Sequence, residues 1–118
     1  MTKMFNNATS FNKDIGGWDT SKVKNFQGTF QNATSFNQNI GGWDTSEANN
    51  MNDMFKNATS FNQNIGGWDT SDVRNMKRMF QDATSFNQNL NSWVLYWNVN
   101  HQDFAKNSGL QNSYLPNF

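Results

Sequence analysis

The stretch from Met54 to Arg78, MFKNATSFNQNIGGWDTSDVRNMKR, decides the fold. The same unit starts at Met4, Thr29 and Met79, which sets a period of 25 residues. Phe5, Phe30, Phe55 and Phe80 fall on one lattice, Phe11, Phe36, Phe61 and Phe86 on a second, and Trp18, Trp43, Trp68 and Trp93 on a third. Residues 32–45 repeat in residues 57–70 letter for letter. Self-similarity at a fixed period predicts stacked units, because one such unit cannot bury its own apolar face and needs neighbours on either side.

Periodicity divides each unit further. Between Asn75 and Ala83 the apolar residues Met76, Met79, Phe80 and Ala83 follow the i, i+3, i+4, i+7 spacing of one helix face, which predicts a helix of about two turns. Ser71–Asn75 and Ser21–Asn25 alternate a valine with charged residues and predict a short strand, pairing in parallel with its copies roughly 4.8 Å apart. Residues 59–68 read as an irregular return with its bend at Gly66-Gly67. The expected architecture is an α/β repeat in a short coil, with parallel strands on one face and short helices on the other. Strand–crossover–strand connections of this kind are right-handed. Four turns would make a stack only ~20 Å long.

Both ends depart from the unit. Met1 aligns with Met51 and Met76, so MTKMF reads as the tail of an earlier unit, and residues 1–93 form repeats that begin in mid-unit. This suggests a fragment of a longer array, or an uncapped N-terminal edge that another copy covers. From Val94 the polar Asp-Thr-Ser gives way to Val-Leu-Tyr, and Trp97 follows. Phe80 to Phe104, Phe86 to Leu110 and Leu90 to Tyr114 are each 24 apart, so one residue is lost and residues 94–118 read as a divergent C-terminal cap.

Composition narrows the class. Hydrophobic content of 35% and a mean hydropathy of −0.88 would suit a disordered chain, but aromatics make up 15% and stand in register, which disorder does not produce. Nine basic and nine acidic side chains balance, so no net field draws in nucleic acid or a membrane surface. With no cysteine there is neither a disulfide framework nor a thiolate metal site. No apolar run approaches membrane-spanning length. The 22 asparagines suit amide ladders between stacked coils.

The pattern MF..ATSFNQNI..WDTS.V.NM resembles the 25-residue BspA-like leucine-rich repeat of mycoplasma-type surface lipoproteins. FNQ, WDTS, V.NM and MF recur together over residues 1–93, and FAKNSGLQNSYLPNF is similar to the closing unit of such proteins. The chain departs from the pattern at the double glycine before Trp18, Trp43 and Trp68, at Phe26, at Ala48 and in the VLYW segment. The resemblance implies a leucine-rich-repeat-like solenoid at the cell surface, used in adhesion or partner binding.

The aromatic columns read as core, with a sugar-stacking surface as the alternative. Asp19, Asp44 and Asp69 form a column of like charges whose repulsion a bound calcium would offset, which makes them weak metal candidates. The competing reading gives each carboxylate the backbone N–H groups of the following turn, with Thr20, Thr45, Thr70, Ser21, Ser46 and Ser71 as turn hydroxyls. Calcium-solenoid motifs repeat on a much shorter period and carry further glycines. His101 is the one histidine, with no nucleophile motif around it, and His101 with Asp103 supplies two metal ligands where a site needs more. No cofactor is implied. Asn7-Ala8-Thr9, Asn32-Ala33-Thr34 and Asn57-Ala58-Thr59 match glycosylation sequons but read as turns, since Asp82 breaks the fourth.

The positions that vary between copies are the informative ones. Lys22, Glu47 and Asp72 form one column, Lys24, Asn49 and Arg74 the next, and Gly28, Asp53 and Arg78 a third. With Val23 and Val73 inward, their neighbours face outward as a candidate binding ribbon. The expected function is a non-enzymatic module that binds a protein or glycan on another cell. The alternative is a structural module that forms a homo-oligomer through its N-terminal edge.

Overall fold

A computed structural model describes residues 1–118, and its recurring element is a run of overlapping turns. In the coil that starts at Met51, the N–H groups of Met54, Lys56 and Ala58 donate to the carbonyls of Met51, Asp53 and Phe55, three residues back. The N–H groups in between, those of Met51, Asp53, Phe55 and Asn57, donate to Asn75, Lys77, Met79 and Gln81 of the next coil at 2.8–3.0 Å. Alternate donors therefore close turns, and the rest stitch coils together. Phe26, Gly28, Phe30 and Asn32 bond to Asn50, Asn52, Met54 and Lys56 in the same way, and Met76, Arg78, Phe80 and Asp82 to Asn100, Gln102, Phe104 and Lys106. This satisfies buried backbone without helix or sheet.

The turns need two left-handed residues per coil. Asp53 (φ 58°) and Asn57 (φ 57°) each sit third in a turn, where φ above zero favours Gly, Asn and Asp. The chain supplies Asn7, Asn32, Asn57, Asp82 and Asn107 at one such place and Gly28, Asp53 and Asp103 at the other. Lys3 (φ 52°) and Arg78 (φ 54°) adopt the conformation without that help.

These turns correct the expected architecture. The segment Asn75–Ala83 is not a helix: left-handed Arg78 and Asp82 interrupt any helical run, and alternate N–H groups leave for the neighbouring coil. Met76, Met79, Phe80 and Ala83 are nevertheless all buried, because a train of turns also puts one side inward. The segments Ser21–Asn25 and Ser71–Asn75 are not strands, since Val23 and Val73 close turns onto Thr20 and Thr70, which bends the backbone. What remains of parallel pairing is one residue per coil, the isolated bridges Asn25–Asn50, Asn50–Asn75 and Asn75–Asn100. With no sheet, and one 3-10 turn at Asn112–Tyr114 as the only helical element, the α/β, leucine-rich-repeat-like solenoid with strands and helices is not formed.

The coils stack on aromatic rings. Successive centroids of Phe5, Phe30, Phe55 and Phe80 lie 5.3–5.6 Å apart, and those of Phe11, Phe36, Phe61 and Phe86 lie 5.7–5.9 Å apart. Within a coil the two columns touch, as at Phe30–Phe36 with 4.1 Å. Each fully buried ring contributes roughly 2–3 kcal/mol. Trp43, Trp68 and Trp93 are also buried, and each indole N–H donates back to the preceding coil, at Ile15, Ile40 and Ile65 (3.0–3.1 Å). Gly16, Gly41 and Gly66 permit this spacing, because a Cβ on Gly41 would lie 2.5 Å from the carbonyl oxygen of Asn64.

The last coil keeps the 25-residue register further than its spacing suggests. Asn100 still bridges Asn75, and Asp82 still bonds to Lys106. The lost residue falls after Asn107, where Gly109 crowds the Thr84 carbonyl and Gln111, 24 residues on, bonds to the Asn87 side chain. Phe104 thus belongs to the Met79 column and meets Phe80 edge-on at 5.3 Å, ending the parallel stack of rings.

Candidate functional site

Six of the nine residues in the three varying columns are exposed together. Lys22, Lys24, Glu47, Asn49, Asp72 and Arg74 face solvent on three successive coils, flanking Val23, Ala48 and Val73, which turn inward. The Arg74 guanidinium lies 4.8 Å over the Tyr96 ring, which fixes one end of the ribbon by a cation–π contact. Asp53 and Arg78 sit elsewhere in function: Arg78 Nε and NH2 reach Asp53 Oδ1 and Oδ2 at 2.8 and 3.1 Å, so their charges meet each other. Gly28 of the same column is buried.

The aspartate column is organised by its own turns. Oδ1 of Asp19, Asp44 and Asp69 accepts the hydroxyl of Ser21, Ser46 and Ser71 at 2.6 Å and the same serine's N–H at 3.0 Å. These bonds, the hydroxyl first, hold all three carboxyls below the usual carboxylate value, against the repulsion that Asp44 feels from Asp19 and Asp69 from Asp44. The threonines tie coil to coil instead: Thr20, Thr45 and Thr70 donate to the carbonyls of Asp44, Asp69 and Val94 at 2.8–3.0 Å. No three side chains of the metal-ligating types converge anywhere in the chain.

Amides form the ladders their number suggests. Asn32 Nδ2 donates to Asn7 Oδ1, Asn57 Nδ2 to Asn32 Oδ1, and Asn107 Nδ2 to Asp82 Oδ1. A second column works through the backbone, with Asn12, Asn37 and Asn62 side chains accepting the N–H groups of Asn37, Asn62 and Asn87. The sequon asparagines Asn7, Asn32 and Asn57 thus belong to a structural ladder.

A cavity of about 290 Å3 at the C-terminal end was not anticipated. Leu95, Tyr96, Trp97, Asn98, Val99, His101, Asn117 and Phe118 line it. Trp97 is 84% exposed, and the His101 ring stacks on Phe118 at 4.1 Å. The signal in the sequence was the replacement of Asp-Thr-Ser by Val-Leu-Tyr, followed by an unmatched tryptophan, which reads as a cap and equally as an aromatic site. Arg74 over Tyr96 joins this end to the ribbon.

No helix is long and apolar enough to cross a membrane. No curated protein and no solved structure matches the chain. The family described as "Mycoplasma protein of unknown function, DUF285" matches residues 1–118. That description says nothing of adhesion or lipoprotein attachment, and with the leucine-rich-repeat architecture absent, those expectations lose their support. Matched along its whole length, the chain belongs to the DUF285 family of mycoplasma proteins of unknown function.

Proposed function

We propose that the chain is a non-enzymatic binding module whose stack of turns presents Lys22, Lys24, Glu47, Asn49, Asp72 and Arg74 to a protein partner. The observation that supports this reading is a contrast along the same coils. In the inner coils the core positions repeat almost unchanged and are buried, whereas these six change from coil to coil and are exposed. Successive rings in each column are 5.3–5.9 Å apart, so the six side chains of three successive coils crowd onto one narrow strip. Such a strip favours recognition over catalysis, since preorganised charges lose little freedom on binding. The strip carries two positive charges on one coil (Lys22, Lys24), one negative on the next (Glu47) and one of each sign on the third (Asp72, Arg74), and suits a partner of mixed charge.

The test is affinity capture with the wild type and with a variant carrying Lys22→Glu, Lys24→Glu and Arg74→Glu, both shown folded by circular dichroism. A partner held by the wild type and released by the variant supports the ribbon. Retention of every partner by the variant removes it.

A further inference from the structure

The turn on the flank of the last coil has slipped by one residue. In the inner coils the N–H groups of Val23, Ala48 and Val73 close turns onto Thr20, Thr45 and Thr70, and an aspartate–serine bond such as Asp69–Ser71 holds each turn in place. One period on, Val94 and Tyr96 stand where Asp69 and Ser71 do, and that bond cannot form. The turn is closed instead by the Val99 N–H on the Tyr96 carbonyl at 3.1 Å, and the register returns at Asn100, which bridges Asn75. Trp97 and Asn98 therefore form the apex of the turn, at the edge of the cavity of about 290 Å3. Trp97 takes the place in the period of Glu47 and Asp72, which are exposed although coils lie on both sides of them. Its 84% exposure is thus a property of the flank.

The chemistry of the lining differs from that of the inner coils. No Asp, Glu, Lys or Arg lines the cavity, and the Arg74 guanidinium is engaged over the Tyr96 ring at 4.8 Å. In the inner coils polar side chains are occupied by the fold: the indoles of Trp43, Trp68 and Trp93 each donate to a carbonyl, and Asn7, Asn32 and Asn57 bond to one another. Around the cavity the Tyr96 hydroxyl, the Trp97 indole N–H, the His101 ring nitrogens and the amides of Asn98 and Asn117 make no hydrogen bond within the chain. Two aromatic surfaces accompany them, the Trp97 ring and the His101–Phe118 pair, stacked at 4.1 Å.

We infer that the cavity is a binding site for a neutral sugar, taking one pyranose ring of a glycan. A pyranose is apolar on its C–H face and rimmed by hydroxyls that both donate and accept. The face suits the exposed Trp97 ring, and the rim suits carboxamides, which carry a donor and an acceptor side by side. Asn98 and Asn117 supply these, with His101 as a further partner. A phosphate or carboxylate would find no cation in the lining to meet it. A purely apolar group would cover the free amides without pairing them, at a desolvation cost. Sites for drug-sized ligands run from about 300 to 1,000 Å3, so this one, at about 290 Å3, is scaled to a single ring. The inference does not rest on the charged ribbon's binding a protein.

Saturation-transfer NMR with the methyl glycosides of glucose, galactose, mannose, N-acetylglucosamine and N-acetylgalactosamine tests the site. At least one should bind, with transfer strongest at the C–H protons of the ring. Trp97→Ala should weaken that binding about tenfold or more, and Asn98→Ala about fivefold. Both residues are exposed, so the fold survives either change, which an unchanged melting temperature checks. Lys22→Glu combined with Lys24→Glu alters the ribbon alone and should leave sugar binding unchanged. Failure of every glycoside to bind overturns the inference, and so does binding that either cavity variant keeps at full strength. Loss of sugar binding in the lysine variant places the sugar elsewhere and overturns it as well.

Discussion

Arg78 grips Asp53 across two coils while both residues hold left-handed backbone, at φ 54° and 58°. The ion pair and the strain act on one residue in opposite directions. Arg78→Ala removes the partner of a carboxylate whose side chain is only 10% exposed and leaves the backbone penalty, for a loss of about 2 kcal/mol. Arg78→Gly loses the same pair but relieves the strain, which restores about 1 kcal/mol. Urea unfolding should rank wild type, Gly, then Ala. A glycine variant no more stable than the alanine one would mean that the turn places no demand on φ.

Gly41 and Gly42 are neighbours with opposite tolerance. A Cβ at Gly41 meets the Asn64 carbonyl oxygen at 2.5 Å, whereas one at Gly42 meets nothing within 4 Å. Gly41→Ala should force the coils apart and cost about 2 kcal/mol. Gly42→Ala should be neutral or stabilise by about 0.5 kcal/mol through the unfolded chain. Equal melting temperatures for the two variants would contradict the close approach of the coils.

The stacking period was legible because Phe and Trp recur at fixed places, and a buried aromatic admits few substitutes. The local conformation was not. Met76, Met79, Phe80 and Ala83 satisfy a helical rule, but a train of turns buries the same four, so apolar spacing alone does not separate the two. The discriminating residues were Asn57 and Asp82 and their copies, small polar side chains placed where a helix would continue. In the candidate site, exposure of Lys24 and Arg74 followed from the inward valines beside them. The pairing of Asp53 with Arg78 was also on the page, as opposite charges one period apart, but reading it as an ion pair requires knowing that one period is one step of the stack. The end cavity went unread because Trp97 has no counterpart in earlier units.

Asp44 carries a pH signature. The Ser46 hydroxyl, and then its N–H, stabilise the ionised carboxyl and lower its pKa from 3.8. A pKa depressed on folding contributes stability that is present above the unfolded value and is lost as pH falls through the folded one. Asp19 and Asp69 behave alike, so the acid limb of the stability curve should fall below about pH 4. Ser46→Ala removes the leading contact and keeps the backbone one. In a carboxyl-carbon NMR titration Asp44 should then move partway back toward 3.8 while Asp19 stays low. An unchanged Asp44 titration would sink the assignment.

Trp68 and Trp18 occupy the same place in their units but do different work. The Trp68 indole is 4% exposed and donates to the Ile40 carbonyl of the coil before at 3.1 Å, so it ties two coils by both packing and a directed bond. Trp18 is 45% exposed and makes no such bond. Trp68→Phe gives up the hydrogen bond and part of the ring volume and should cost about 2 kcal/mol. Trp18→Phe should cost about 0.5 kcal/mol or less. Chemical denaturation measures both costs, and an equal cost for the two tryptophans would show that the indole bond to Ile40 does not hold the coils together.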